Sequence, residues 1–349
     1  MSLARGPGIN NGAMGKKSQL PKVMSDDLKL RAGDWVEIKD PLAIMETLDS
    51  NGALDGLPFM PEMVEHCGQR ARVLRLAEKA CVEIRDLRYW MREFHRNNAV
   101  ILDVARCSGA SHDGCGRACV FFWKTDWLRK VPNGKPRAQI DEATTKLLAS
   151  RLKTKAGPGR YFCQSTEMAK ATHPISRSRV VLKCFSDLRS GSRGWLEMIR
   201  LVAVPLFRYI TRYEFPRPLV GKQKPTPVGD LKLQPGDLVE IKSEAEIIDT
   251  LDSRGRNRGM ICDRGLTQYG GRRYRVRNRL DRMICEPTAE MRQMQGTVIL
   301  EGLNCHCWWR RVGGCPRDDF MYWREIWVKR VTDGENNENG AGSLKHSEL

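Results

Sequence analysis

The residues with the clearest chemistry are three cysteines and a histidine grouped within residues 107–119. Cys107, His112, Cys115 and Cys119 stand in the spacing Cys-x4-His-x2-Cys-x3-Cys. Zinc prefers thiolate and imidazole ligands in tetrahedral sets of four, and clustered thiolates also hold iron–sulfur clusters. Glycine, alanine and serine fill most of the intervening positions, so a short loop can turn these side chains toward one ion. The pattern predicts a metal site, with zinc first and an iron–sulfur cluster as the alternative.

Other cysteines widen the predicted ligand set. A second cysteine-rich stretch follows residue 300, and there Asp319 takes the place of Cys119. This stretch is either a variant site or a metal-free copy of the first. The predicted ligands are Cys81, Cys107, His112, Cys115, Cys119, Cys163, Cys285, Cys305, Cys307 and Cys315.

Two other interpretations of the thiols stay open. Buried free thiols act as small apolar side chains, and this interpretation suits Cys184 and Cys262. A catalytic Cys–His pair would join Cys107 with His112, or Cys163 with His173. No orienting third group or oxyanion hole is evident for either pair, and whether the protein is an enzyme stays open.

A row of arginines is the second chemical feature. In the segment 272–280, Arg273, Arg275, Arg277 and Arg279 alternate with other residues, which places them on one face of a strand. Arginines on a sheet suit phosphate contact, and aromatic side chains stack on bases. Trp308 and Trp309 are the predicted stacking residues. A solvated face balanced by acidic side chains is the alternative.

An internal repeat organises these features. Residues 28–39 read LKLRAGDWVEIK and residues 231–242 read LKLQPGDLVEIK. The correspondence continues without a gap through the glycines that follow, and later Cys107 meets Cys305 and Trp123 meets Trp323. Because self-similarity of this extent is the signature of repeated structural units, the chain is predicted to contain two tandem copies of one small domain.

Each copy alternates apolar and polar residues in short runs, as half-buried strands do. The Gly-Asp-x-Val-Glu opening resembles the first strand of SH3-like barrels of the KOW type. The whole repeat, with Leu57-Pro58-Phe59-Met60-Pro61-Glu62-Met63 and the Cys/His-rich stretch before Phe122-Trp123, also resembles uncharacterised bacterial tandem-repeat proteins. The resemblance implies a mainly β fold of two SH3-like small barrels, and it carries no established activity.

The segment between the copies differs in kind. Helices are predicted over 141–153, from about residue 164, and over 193–215, where apolar residues recur at helical spacing. The predicted organisation is a disordered tail at 1–23, repeat domain 1 at 24–131, a helical insert with a Pro-rich linker at 132–229, repeat domain 2 at 230–332 and a disordered tail at 333–349.

Charge and composition bound the function. The net charge of +17 points to an anionic partner such as nucleic acid. No transmembrane run and no secretory signal are evident, so a cytoplasmic location is expected, where thiols are free or metal-bound. The resulting prediction is a metal-stabilised binding protein that contacts nucleic acid or another polyanion through domain 2. A zinc or iron–sulfur metalloenzyme of bacterial specialised metabolism, or a protein-binding adaptor, is the alternative.

Overall fold

The protein is mainly β, built from antiparallel strands with a few helices. The computed structural model describes residues 28–85, 88–132, 140–196, 219–305 and 315–331, together with scattered positions between 198 and 210. The mainly β class predicted from the sequence is therefore confirmed, and helices are present in the predicted insert.

The repeated phrase Gly-Asp-x-Val-Glu-Ile-Lys forms a strand at both of its occurrences. β1 spans Trp35–Ile38, and Val36 and Ile38 within it are fully buried. In the second occurrence, Val239 and Ile241 are likewise fully buried. Successive side chains of a strand point to opposite faces, so the apolar alternate positions of each strand supply a core.

Two five-stranded sheets contain these strands. The strands of the first half of the chain are β1, β2 (Ala53–Leu54), β3 (Leu57–Pro58), β4 (Arg70–Leu76), β5 (Lys79–Arg85), β6 (Arg88–Phe94), β7 (Ala99–Leu102), β8 (Trp123–Lys124) and β9 (Leu128–Lys130). Five of them form the first sheet in the order β8-β7-β4-β1-β9. Within it, Trp35 pairs with Arg72, and Ile38 pairs with Leu128.

The second sheet has the same order of strands. The remaining strands are β10 (Lys155–Gly157), β11 (Arg160–Tyr161), β12 (Thr172–Pro174), β13 (Leu238–Ile241), β14 (Arg256–Asn257), β15 (Met260–Ile261), β16 (Arg273–Arg279), β17 (Arg282–Ile284), β18 (Met291–Gln293), β19 (Thr297–Asn304), β20 (Phe320–Arg324) and β21 (Val328–Arg330). The second sheet has the order β20-β19-β16-β13-β21. Within it, Leu238 pairs with Arg275, and Ile241 pairs with Val328.

Smaller sheets complete the strand pairing. The long hairpin of β5 and β6 is extended by β12 from the insert, where Thr172 pairs with Phe94. The hairpins β2–β3, β10–β11, β14–β15 and β17–β18 are separate two-stranded ribbons. Because β12 pairs with β6, the insert and the first half of the chain share a sheet.

The helices are short, and each has a local reason to start. They are α1 (Pro41–Met45), α2 (Glu142–Arg151), α3 (Gln164–Ala171), α4 (Arg177–Arg189), α5 (Glu244–Ile248) and α6 (Arg264–Thr267). The Asp40, Asp141 and Ser243 side chains accept hydrogen bonds from backbone amides three residues on, which is how such residues cap helix starts. α2 and α3 occur where the sequence predicts them. α4 was not predicted.

The two sheets enclose separate cores. In the first core, Trp123 and Trp127 are completely buried and Phe59 contacts both ring edges. Helices α2 and α3 contribute Leu148 and Met168 to the same core, so part of the insert packs on the first sheet. The second core contains Trp323 and Trp327, again completely buried. Among the described residues, no helix is long and apolar enough to cross a membrane.

Candidate metal centre and arginine face

The Cys/His-rich loop folds back on itself at Gly109. This glycine has φ of +72°, and a Cβ added to it would lie 2.0 Å from the carbonyl oxygen of Cys115, so no other residue fits there. The amides of His112 and Gly114 both donate to the Gly109 carbonyl, at 2.9 and 3.0 Å. The Cys107 amide donates to the Cys119 carbonyl at 2.9 Å and closes the loop at its base.

The closed loop directs the predicted ligands toward one cavity of about 40 Å³. Four predicted ligands in the loop line it, and a fifth predicted ligand, Cys163, reaches it from the start of α3. The lining residues predicted from sequence are Cys107, His112, Cys115, Cys119 and Cys163. A space of this size accommodates a water molecule or a single ion. In the described part of the chain, no three His, Cys, Asp or Glu side chains stand close enough together to hold a metal ion as they are arranged.

His112 lines the cavity, and Glu62 lies next to His112 without lining the cavity itself. His112 is completely buried, and its Nε2 lies 3.0 Å from the Phe162 carbonyl oxygen. A carbonyl only accepts, so Nε2 carries the proton and, in the neutral ring, Nδ1 presents a lone pair. That Nδ1 lies 3.5 Å from Glu62 Oε1. Among the described residues, neither His112 Nδ1 nor Glu62 Oε2 has a hydrogen-bond partner, so each is a buried polar atom left unsatisfied.

Glu62 also contacts the loop directly. Its Oε1 accepts from the Ser111 amide at 3.2 Å and lies 3.9 Å from Cys107 Sγ. The 3₁₀ turn Pro61–His66 carries Glu62. Sequence reasoning missed this residue because it is distant in sequence from the cysteines, although it lies in a phrase that the sequence singles out next to Met60 and Pro61.

Burial raises the pKa of three of the thiols around the cavity. Burial raises the pKa of Cys119 to about 12, with Asp319 acting in the same direction and Arg117 against it. Burial also raises the pKa of Cys107, helped by Glu62, and that of Cys163. Protonated thiols are poor nucleophiles, so the environment does not favour either Cys–His catalytic pair. His173 pairs instead with Glu93, at 3.0 Å.

The remaining predicted ligands are located elsewhere. The Cys81 amide lies 3.2 Å from Cys315 Sγ, and both residues belong to an apolar cluster that Cys305 also contacts. The Cys285 amide donates to Glu290 in the β17–β18 ribbon, and Cys285 does not line the cavity. Cys307 lies outside the described residues, as do Trp308 and Trp309.

A buried ion network lies directly beside the cavity and joins the two halves of the chain. Arg317 Nη2 lies 2.8 Å from Glu286 Oε2, and Arg317 Nε lies 3.1 Å from Asp319 Oδ2. Arg117 donates to Ser165 Oγ at 2.9 Å, and Arg317 donates to the same oxygen at 3.2 Å. The sequence contained a signal for this network, because Arg117 and Arg317 hold matched places two residues after Cys115 and Cys315.

The arginine strand is β16. Arg273, Arg275 and Arg277 are exposed, whereas Arg279 is partly buried and pairs with the buried Glu325 at 2.9 Å. The pairing with β19 shifts register between Val276 and Asn278, so a bulge at Arg277 interrupts the alternation.

The arginines of the strand differ in their partners. Arg273 lies 3.2 Å from Glu240, whereas Arg275 donates to the Gly236 carbonyl and Arg277 lies over the Phe320 ring. Among the described residues, no acidic side chain pairs with Arg275 or Arg277. These two arginines are therefore the part of the row that is open to an anion.

Comparison with known proteins adds no relative. No protein-family model, no curated protein and no solved structure matches this chain.

Proposed function

We propose that this protein is a metal-stabilised binding protein with its ion at the cavity beneath the 107–119 loop. The observation that carries the proposal is the convergence of four thiols and one imidazole on a single cavity. These side chains come from both the loop and the start of α3. The convergence therefore depends on the fold and does not follow from the short sequence motif alone.

The donor set fits a zinc ion. Metal-bound histidines commonly donate their second ring N–H to a carbonyl oxygen, as His112 does to Phe162. The lone pair on His112 Nδ1, which is unsatisfied among the described residues, would then be available to a cation in the cavity. Cys107 and Cys119 would supply thiolates, with binding releasing their protons. An iron–sulfur cluster would use the four cysteines alone and leave Glu62 and His112 unexplained, so zinc is favoured.

The ion would act structurally. It would join the loop to the first residues of α3, next to the network in which Arg117 meets residues of the second half. Structural zinc sites are closed and contribute directly to folding free energy. This role agrees with the full burial of His112 and the near-complete burial of Cys163.

We also propose that the two sheets descend from one duplicated SH3-like unit. Matched hydrogen bonds recur in both, since Trp127 Nε1 donates to Thr47 Oγ1 and Trp327 Nε1 donates to Thr250 Oγ1, each at 3.0 Å. Matched positive-φ residues recur as well, including Asp55 at +51° and Arg258 at +47°. Non-glycine residues seldom adopt this conformation, so its recurrence at the same place supports a common origin.

The metal assignment is tested by elemental analysis of protein purified without oxygen. We expect about one zinc per chain and its loss in a variant with Cys115→Ser and Cys119→Ser. Cys184→Ser is the matched control, because Cys184 is a buried thiol away from the cavity whose Sγ hydrogen-bonds the Val180 carbonyl, as a serine would. If the analysis finds iron together with sulfide, the site holds an iron–sulfur cluster in place of zinc. Protein that is folded and free of metal would refute the site.

A second function is favoured by Arg275 and Arg277, which we propose contact a polyanion such as nucleic acid. Their replacement by Glu should weaken RNA or DNA binding by roughly tenfold or more and reduce the salt dependence of the affinity. Arg254→Glu with Arg292→Glu makes the same charge change at exposed residues outside the strand. Equal weakening by both pairs would indicate only nonspecific attraction to net charge and count against a site on β16.

A further inference from the structure

Helix α4 presents apolar side chains to solvent. Leu182 is 66% exposed and Phe185 is 65% exposed, and residues three apart lie on the same helix face. Its opposite face is anchored, because Lys183 pairs with Glu78 and Asp187 pairs with Lys79 at 2.5 Å. The outer face is therefore held outward by the packing of the inner one.

Further exposed apolar residues follow α4 in the sequence. Where they are described, residues between 195 and 210 are helical, and the large apolar side chains among them are mostly exposed. We call the following residues the apolar insert surface: Leu182, Phe185, Trp195, Leu196, Ile199, Leu206, Phe207 and Ile210, each at least half exposed. Isolated exposed apolar residues are ordinary, but a concentration of this kind marks an interaction site.

Charge identifies the partner. Arg189 is exposed one turn beyond Phe185, no described acidic side chain pairs with it, and the acidic residue of α4, Asp187, faces inward to Lys79. The chain as a whole carries a net charge of +17. A second copy of the chain would be repelled by this charge, whereas the anionic headgroups of a bilayer would be attracted.

We infer that the apolar insert surface docks on an anionic lipid bilayer. Amphipathic helices with Trp, Phe and Leu on one side and arginines beside them lie in the headgroup region with their apolar side in the acyl boundary. The arrangement is peripheral, since no described helix is suited to span the bilayer. This contact is separate from the arginine strand β16, which belongs to the second sheet.

Flotation of the full chain with lipid vesicles tests the inference. The protein should float with vesicles of phosphatidylglycerol and phosphatidylcholine, and much less with phosphatidylcholine alone. Leu182→Ser with Phe185→Ser should reduce partitioning by about tenfold or more, since two apolar side chains no longer enter the boundary. Leu42→Ser with Leu74→Ser is the matched control, because both leucines are about half exposed but lie in the first domain; it should float like the wild type.

Three results would overturn the inference. The first is equal flotation of the two serine pairs. The second is loss of flotation in the Arg275→Glu, Arg277→Glu variant while the insert variant still floats, which would assign lipid contact to β16. The third is a wild-type dimer, measured by light scattering, that the insert variant converts to monomer without any vesicle binding. Retained nucleic-acid binding by the insert variant would show that the two surfaces act separately.

Discussion

Gly109 determines the fold of the loop that carries the candidate metal ligands. Its positive φ and its close approach to the Cys115 backbone leave no room for a side chain. The three cysteines and the histidine predict a ligand loop from sequence, and the conformation of that loop depends on this one glycine. Its importance could not be read from the motif, because several glycines lie in the same stretch.

Gly109→Ala should destabilise the protein by more than about 3 kcal/mol, because strain at positive φ adds to a steric clash with backbone. Gly114→Ala is the matched control. That residue also has positive φ, +74°, but the nearest distant atom to its added Cβ is Arg282 Cδ at 3.9 Å, so only about 1 kcal/mol is expected. Urea unfolding of both variants provides the comparison, and equal losses would contradict the steric explanation.

The hydrogen bond from Trp127 to Thr47 and its counterpart from Trp327 to Thr250 lead to a paired prediction. Thr47→Val and Thr250→Val keep the side-chain shape but leave a buried indole N–H without an acceptor, which costs about 1–3 kcal/mol. We expect similar losses at the two positions, and additive losses in the double variant because the residues lie in separate cores. Thermal unfolding measures all three; a neutral Thr250→Val would show that the second bond contributes nothing.

At the scale of elements, α3 connects the cavity to the first core. Its first residue, Gln164, accepts from the Phe122 amide at 2.8 Å and donates to the carbonyls of Pro58 and Phe122. The start of α3 therefore has a fixed position, and Cys163 immediately before it has a fixed position at the cavity.

Gln164→Leu should lower the free energy of unfolding by about 2–4 kcal/mol, since it leaves a buried amide and buried carbonyls without partners. It should also weaken metal retention, because Cys163 loses its support. Gln293→Leu, an exposed glutamine on β18, controls for the chemical change and should be nearly neutral. A stable Gln164→Leu protein with unchanged metal content would argue against α3 as part of the site.

The elements differ in how well the sequence predicts them. β1 and β13 follow from the alternation of the repeated Val-Glu-Ile-Lys phrase, and α2 follows from the capping Asp141. α4 was missed because Val180 and Val181 favour strands locally. Ser176 caps its start, and the ion pairs of Lys183 and Asp187 hold it against β4–β5 and the residues between them. The convergence of Cys163 and Glu62 on the loop could not be predicted, since each comes from a separate segment and their meeting depends on long-range packing.

At the scale of the whole molecule, the two halves meet through buried charge. Burial alone would raise the pKa of Glu286, but Arg317 and Arg117 outweigh it and hold that pKa below its ordinary value. A carboxyl group with a lowered pKa in the folded state stabilises the protein above its unfolded pKa of about 4.3. This stabilisation is lost as the pH falls below that value.

Glu286→Gln should destabilise the protein by about 3–5 kcal/mol at neutral pH, because two buried arginines lose a shared counter-ion. The variant should also lose part of the decline in stability that the wild type shows between about pH 5 and pH 3. Glu290→Gln, at an exposed glutamate in the adjacent ribbon, should leave both quantities unchanged. Denaturant midpoints measured across this pH range test the prediction. If the midpoints of the wild type and Glu286→Gln change with pH in parallel, the role of the carboxylate is contradicted.

The network that Arg117 shares with Glu286, Arg317 and Asp319 also has a genetic consequence. Among the described residues, Arg117 pairs with acidic side chains only from the second half, where Glu286 and Asp319 also pair with Arg317. Because this contact crosses between the halves, two open reading frames should be able to replace one. A polypeptide ending at residue 218 and another beginning at residue 219 are each expected to be insoluble when made alone. Made in the same cell, they should complement each other and copurify as a stoichiometric pair, with Arg117→Met in the first fragment reducing the yield of the pair.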